Sequence, residues 1–284
     1  MLQYSLPPKA TRVSPDRILQ YNNPMIRTIH ATRYVTPLRE GGSVPAIVEA
    51  ADDGLYVLKF RGAAQGRKAL IAELIAGEIG RAIGLPVPAI VLMELDPALG
   101  RSEPHDEIRE LIVASAGLNL ALAYLPGSFG YDPLHAPPPD ADLASAVVWF
   151  DAYVTNVDRT ARNTNMLVWH QQLYLIDHGA ALYVHHTWGD YLTRARSPFA
   201  PIKNHVLLPL ASELRGADAL LSAQLTPDLL EAIVAQVPDA WLADEPSFAS
   251  VEEHRAAYLR YLLERLAGPR GFVEEAARAR EQLV

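Results

Sequence analysis

In the first half of the chain the apolar positions come in short bursts separated by turn formers. Met25 to Val35, Val44 to Ala50 and Leu55 to Phe60 are rich in β-branched and aromatic residues, and Asp52-Asp53-Gly54 between the last two is a hairpin signal. The pattern then changes period. Ile71, Leu74, Ile75, Ile79, Ala82 and Ile83 recur at helical spacing, which predicts a helix over 69–83 that Gly84 and Pro86 terminate. Pro88 to Leu95 and Leu118 to Tyr124 return to strand character. These elements make a small antiparallel sheet with one helix against it.

Gly127 to Asp142, with Pro133 and the run Pro137-Pro138-Pro139, carries too many breakers for regular structure and is expected to connect two lobes. Beyond it the pattern is mostly helical. Leu143 to Thr155 is an apolar helix, Thr226-Pro227-Asp228 starts a helix ending near Val237, and Val251 to Leu266 and Phe272 to Leu283 follow. The expected class is α+β: two lobes, an antiparallel-sheet N-lobe carrying one helix and a mostly helical C-lobe. The expected divisions are an N-terminal arm over 1–24, an N-lobe over 25–126 and a C-lobe over 127–284. The groove between lobes is a common ligand site.

Composition narrows the chemistry. The 284 residues are half apolar, enough for a full core, and the formal net charge of -8 disfavours a nucleic-acid partner. The absence of Cys excludes disulfides, thiolate metal sites and thiol nucleophiles. The first residues lack the apolar run of a signal peptide, and no apolar stretch reaches the length that spans a bilayer, so a soluble, cytoplasmic protein is expected. Lys occurs only at positions 9, 59, 68 and 203. A Lys within an apolar segment therefore stands out.

After the apolar helix comes Asn156-Val157-Asp158-Arg159-Thr160-Ala161-Arg162-Asn163, then a strand over Met166 to Trp169, a turn, and Leu173 to Gly179. Asp158, Asn163, Asp177 and Gly179 resemble the catalytic and metal-binding loops of kinase-like phosphotransferases, where an Asp is followed five positions later by an Asn and then by a strand ending in Asp and Gly. In that arrangement the Asp reaches an acceptor hydroxyl while the Asn folds back to a Mg²⁺ shared with the second Asp. Hard oxygen ligands of this kind suit Mg²⁺ together with ATP phosphates. By itself the spacing is more simply an ordinary Asx turn. Upstream, Lys59 lies in the apolar strand Leu55 to Phe60, where kinases place the nucleotide-binding Lys. A half-buried Lys needs an anion, and Glu73 and Glu78 on the following helix are both candidates; the alternative is a Lys snorkelling from an edge strand. Glu40-Gly41-Gly42-Ser43 stands where kinases carry a phosphate-covering loop, although two adjacent glycines also make a plain hairpin.

Together these residues resemble the HipA-like kinases, bacterial relatives of the HipA toxin kinase, from about Tyr34 to about Leu208. The resemblance is carried by Glu40 to Ser43, Val57-Leu58-Lys59-Phe60, Gln65-Gly66, Ala72-Glu73-Leu74, Gly84-Leu85-Pro86-Val87-Pro88, Asn156 to Arg159, Asn163 and Asp177. It favours Glu73 over Glu78, because the helix Glu in that family stands about eleven residues before the Gly of Gly-Leu-x-Val-Pro. It implies a two-lobed, protein-kinase-like fold whose N-lobe binds the nucleotide, with Lys59 on the ATP phosphates, Glu73 orienting it, Asp158 as base, Asn163 and Asp177 on Mg²⁺, and Arg162 neutralising the transferred phosphoryl. Gly41, Gly42 and Ser43 would cover the phosphates, and backbone around Tyr124 and Leu125 would meet adenine. The implied activity is transfer from ATP to Ser or Thr of a protein, this chain itself included. The other readings are a non-catalytic nucleotide-binding module and a small-molecule kinase. The chain is shorter than the HipA toxin, so toxin function and pairing with a DNA-binding antitoxin do not follow. His178 replaces the Phe of Asp-Phe-Gly and no Ala-Pro-Glu follows, which sets the chain apart from eukaryotic-type protein kinases. Trp149, Phe150 and Tyr153 are expected in the core. Arg194, Arg196 and Lys203 give the segment after Gly179 local positive charge.

Overall fold

The computed structural model describes residues 25–38, 44–64 and 66–283. The expected arm over 1–24, the glycine loop with Gly41, Gly42 and Ser43, and Gln65 lie outside the described residues. Five strands, β1 (Thr28–Pro37), β2 (Ala46–Ala50), β3 (Leu55–Lys59), β4 (Ile90–Leu95) and β5 (Gly117–Ala123), pair in the order β1-β2-β3-β5-β4. The order closes on itself. β1 also pairs with β4, in parallel, through Thr28 and Leu92, so the expected antiparallel sheet is a closed barrel with one parallel seam. That seam joins segments more than sixty residues apart, and no local pattern encodes it.

The hairpin at Asp52 to Gly54 forms as its residues dictate. Asp53 takes the left-handed conformation, φ 60°, and the Asp52 carboxylate accepts from the Gly54 amide at 3.1 Å. Along β2 and β3 the side chains alternate, with Ala46, Val48, Ala50, Tyr56 and Leu58 inside the barrel beside Val91, Met93 and Ala121. The same period of two puts Val57 and Lys59 on the outer face. There Ile90, Leu92, Leu120 and Leu122 pack against α1 (Gly66–Ala82).

Helix α1 is buried on every side from Leu70 to Gly80, because the barrel lies on one flank and the helical half on the other. Gly77 and Gly80 permit that closeness. A Cβ on Gly77 would meet Ile90 Cδ1 at 2.4 Å, and one on Gly80 would meet Val87 at 3.1 Å and Phe150 at 3.4 Å. A second helix, α2 (Asp106–Ala114), also accompanies the barrel and adds Ile112 to its core, so the expectation of one helix is corrected.

The helical half contains α3 (Ala141–Tyr153), α4 (Tyr191–Ala195), α5 (Leu214–Gln224), α6 (Pro227–Val234), α7 (Asp239–Leu242), α8 (Val251–Leu266) and α9 (Gly271–Glu281). The segment 127–142 is not free of regular structure: β6 (Phe129–Gly130) pairs with β7 (Met166–Trp169), which pairs with β8 (Gln172–Leu175). Asp140 caps α3 by accepting from the Leu143 amide at 2.8 Å, so the helix begins earlier than hydrophobicity alone indicates. Trp149, Phe150 and Tyr153 of α3 are core residues, as expected. The two halves are joined by directed bonds as well as by apolar packing. Trp241 Nε1 donates to the Leu118 carbonyl at 3.1 Å, the Ile26 amide donates to Gln236 at 2.7 Å, and Arg67 donates to the carbonyls of Ala240 and Ala243 at 3.1 and 3.2 Å. No helix among the described residues is long and apolar enough to cross a membrane.

Candidate active site

Lys59 ends β3 on the outer face of the barrel, directly beneath α1. Its ammonium lies 2.5 Å from Glu73 Oε2 and 2.7 Å from Asp177 Oδ1. Glu73 is fully buried; Asp177 is 44% exposed and so remains reachable from solvent. Burial alone raises a carboxyl pKa, yet the Lys59 charge and a hydrogen bond from His178 hold Glu73 well below the usual carboxylate range. For Lys59, burial favours the neutral amine, but the two carboxylates outweigh it and keep the group charged. The choice between Glu73 and Glu78 is thus decided by geometry, since Glu78 turns to Arg81 on its own helix at 3.2 Å. Lys59 and Asp177 line one recess with Phe60, Ala63, Gly66, Ala69 and Gly179.

The loop after α3 is built on a buried polar network. Asp151, in the last turn of α3, accepts from Arg159 Nε at 2.6 Å, His205 Nε2 at 2.9 Å and Asn156 Nδ2 at 2.9 Å. Burial opposes ionisation of Asp151, but Arg159 and His205 more than compensate and hold it low. The Leu207 amide donates to His205 Nδ1 at 3.0 Å, so that nitrogen carries no proton and the ring is the neutral Nε2–H tautomer. Burial keeps it neutral by lowering its pKa, against the pull of Asp151. Arg159 continues the network to the carbonyls of Asn165 and Ile176, so one guanidinium ties the Asp158 loop to the strand leading to Asp177.

Asp158 is fixed by its neighbours. Its amide donates to Asn156 Oδ1 at 3.1 Å, and its Oδ2 accepts from Asn163 Nδ2 at 2.8 Å and Asn165 Nδ2 at 3.2 Å. Thr155, Asn165 and Asp177 take positive φ values of 55°, 47° and 57°, unusual for residues with side chains and most of all for β-branched Thr. Each such residue costs on the order of 1–3 kcal/mol, which surrounding structure must offset. They stand where the chain turns into and out of the Asp158 loop and at Asp177 itself.

The remaining expected residues fall around this centre. Arg162 is exposed on the turn after Arg159. Tyr124 and Leu125 leave β5 where the barrel meets the helical half; the Tyr124 amide is committed to the Leu55 carbonyl at 2.9 Å, and the Leu125 carbonyl accepts from Ser128 at 3.2 Å. Of the cations after Gly179, Arg194 bonds the Thr187 carbonyl and Arg196 pairs with Glu264, while Lys203 is exposed. His178 bonds Glu73 and His185 bonds the Tyr258 hydroxyl at 3.1 Å.

Among the described residues no three His, Asp or Glu side chains lie close enough to hold a metal by themselves. Asn163 gives its amide nitrogen to Asp158, which leaves its oxygen for a ligand, and Asp177 gives one oxygen to Lys59 and exposes the carboxylate, so each keeps a hard oxygen donor of the kind Mg²⁺ takes. Sequence reasoning passed over Asp151, Asn165 and His205. An Asp inside an otherwise apolar helix, with an Arg eight positions on, was the available signal for the first.

The fold of a Helicobacter pylori proinflammatory kinase, CtkA, superposes with a TM-score of 0.52 at 13% identity, covering 90% of this chain and 99% of that one. The Golgi casein kinase aligns at 12% identity over 88% of this chain and 73% of that one, with TM-scores of 0.45 and, in a structure with Mn/ADP bound, 0.47. No curated protein matches the chain in sequence. The HipA-like kinase family matches residues 32–272, most of the chain. The chain belongs to the HipA-like kinase family.

Proposed function

We propose that this chain is an ATP- and Mg²⁺-dependent kinase that transfers the γ-phosphoryl group to a Ser or Thr hydroxyl of a protein, its own chain included. The observation that carries this reading is Lys59 clasped between Glu73 and Asp177, with Asp158 held on a separate loop by two Asn amides. Phosphoryl transfer needs little covalent chemistry from the protein; positioning and charge stabilisation supply most of the rate. Lys59 has three N–H donors, so it can meet a phosphate oxygen while Glu73 keeps its direction. Asp158 Oδ2 is occupied by the Asn amides, which leaves Oδ1 to accept the proton of the attacking hydroxyl. Arg162 extends from the same loop, where its charge offsets that of the transferred group. Asn163 and Asp177 would hold Mg²⁺, which would supply charge neutralisation on the phosphates.

In this reading residues 25–126 form the nucleotide-binding lobe, 127–284 the catalytic lobe and 1–24 an arm. Gly41, Gly42 and Ser43 cover the phosphates, and the backbone of Tyr124 and Leu125 meets adenine. The acidic net charge favours a protein acceptor over nucleic acid, and the cytoplasm is the proposed compartment.

Thermal shift with ATP and Mg²⁺ separates the assigned roles. Asp158→Asn keeps the nucleotide-induced stabilisation of the parent, and Asp177→Asn loses most of it. A parent protein with no shift at millimolar ATP and Mg²⁺ would sink the reading.

A further inference from the structure

His178 occupies the position after Asp177 where protein kinases carry Phe. It is fully buried, and its ring stands edge-on to Phe150 with centroids 5.7 Å apart and planes at 76°. A Phe would make that contact equally well. What a Phe cannot do is reach Glu73 with a polar atom: His178 Nδ1 lies 3.3 Å from Glu73 Oε1. The other carboxylate oxygen, Oε2, faces Lys59 at 2.5 Å, and Lys59 also holds Asp177 Oδ1 at 2.7 Å. Since His178 follows Asp177 in the chain, these contacts close a ring: Lys59 to Glu73, Glu73 to His178, one peptide link to Asp177, and back to Lys59.

We propose that His178 is a positioning residue that donates its Nδ1–H to Glu73 and so fixes the direction in which that carboxylate, and through it Lys59, faces the nucleotide. Glu73 is ion-paired with the Lys59 ammonium at 2.5 Å, and a carboxylate in such a pair only accepts, so Nδ1 is the donor in this contact. His178 Nε2 is buried without a partner among the described residues, which leaves Nδ1 as the one polar contact of the ring. Glu73 is fully buried with two oxygens to satisfy. Lys59 satisfies one. Without a donor on the second, the carboxylate gains by rotating to share the ammonium between both oxygens, and the ammonium then leaves its alignment with Asp177.

His178→Asn and His178→Phe separate this role from packing. The Asn amide nitrogen falls near the place of Nδ1 and keeps the donor at the cost of ring volume, whereas Phe keeps the ring and loses the donor. The first readout is affinity for ATP with Mg²⁺, which rests on the proposed function. The second is independent of it: the rate at which an amine-reactive reagent labels Lys59, measured by mass spectrometry against Lys203, which is clean because the chain has only four Lys. A positioning role predicts that His178→Phe weakens nucleotide binding and speeds Lys59 labelling by about tenfold or more, as expected for a lost hydrogen bond to a charged group. His178→Asn stays within about threefold of the parent on both, although it is the less thermostable variant. Parent-like labelling in His178→Phe, or equal changes in both variants, would overturn the proposal. If the parent binds no nucleotide while the labelling pattern holds, the kinase reading fails and the role of His178 stands.

Discussion

Replacing Asp151 with Ala perturbs the network under the Asp158 loop in a way whose size follows from the geometry. The carboxylate accepts two bonds from Arg159, at 2.6 and 3.4 Å, one from His205 and one from Asn156, all buried. Truncation leaves the Arg159 guanidinium, 1% exposed, with only the carbonyls of Asn165 and Ile176. Removing one partner of a buried ion pair costs about 3–5 kcal/mol, a large share of the roughly 5–15 kcal/mol that stabilises a whole domain. At about 2–4 °C per kcal/mol for a large domain, the Tm falls on the order of 10 °C. The cost arises from the charge left behind rather than from the loss of a favourable pair. The double variant Asp151→Leu with Arg159→Met, which removes both charges, therefore recovers stability towards the parent. Calorimetry and urea unfolding of the three proteins measure this. Asp151→Ala within about 1 kcal/mol of the parent, or a double variant less stable than the single one, refutes the reasoning.

Three further outcomes follow from the same contacts. Lys59→Met strands buried Glu73 with only its His178 bond, so both nucleotide affinity and Tm fall, whereas Glu73→Gln keeps a neutral acceptor, costs less stability and still lowers transfer by at least about tenfold; steady-state kinetics beside calorimetry distinguishes them. Lys68 of α1 donates to the His185 carbonyl at 2.6 Å and pairs with Glu245 at 2.9 Å, so Lys68→Met lowers stability by roughly 1–2 kcal/mol and raises amide exchange both in the first turn of α1 and over 183–186. Glu73 and Asp151 have folded-state values below their unfolded ones, so they stabilise the fold fully above about pH 5 and lose that contribution as pH falls through the depressed values. His185 and His205 are also lowered, chiefly by burial, so the unfolded chain takes up their protons first and the urea midpoint already declines below about pH 6.5. His205→Gln flattens the upper part of that decline; a midpoint unchanged between pH 7 and 5 contradicts the assignment.

Much of the local architecture was legible because local chemistry sets it. Thr226 caps α6 as its position indicates, and the helix expected over 251–266 has those bounds, with Ser250 as its cap. Lys59 was legible because it breaks an alternating apolar strand, whereas Glu73 and Glu78 both interrupt the helix and the family resemblance, not the pattern, favoured Glu73. The barrel seam and α2 were not. The first depends on β1 meeting β4 through space, and the second is a short amphipathic helix with a single fully buried residue, Ile112. In the site, the first layer showed in the Asp158, Asn163 and Asp177 spacing, whereas the support from Asp151, Asn165 and His205 arises from segments brought together only by folding.

The proposed activity is transfer of a phosphoryl group from ATP at the site around Lys59, Glu73, Asp158 and Asp177. The most direct measurement incubates the protein with ATP and Mg²⁺, quantifies ADP, and maps covalent phosphate by mass spectrometry, with Asp158→Asn in parallel. The account predicts ADP formation and phosphorylated Ser or Thr in the parent, and neither in Asp158→Asn although it still binds nucleotide. No ADP and no phosphorylated residue from a parent that binds ATP, or equal transfer by Asp158→Asn, would contradict it.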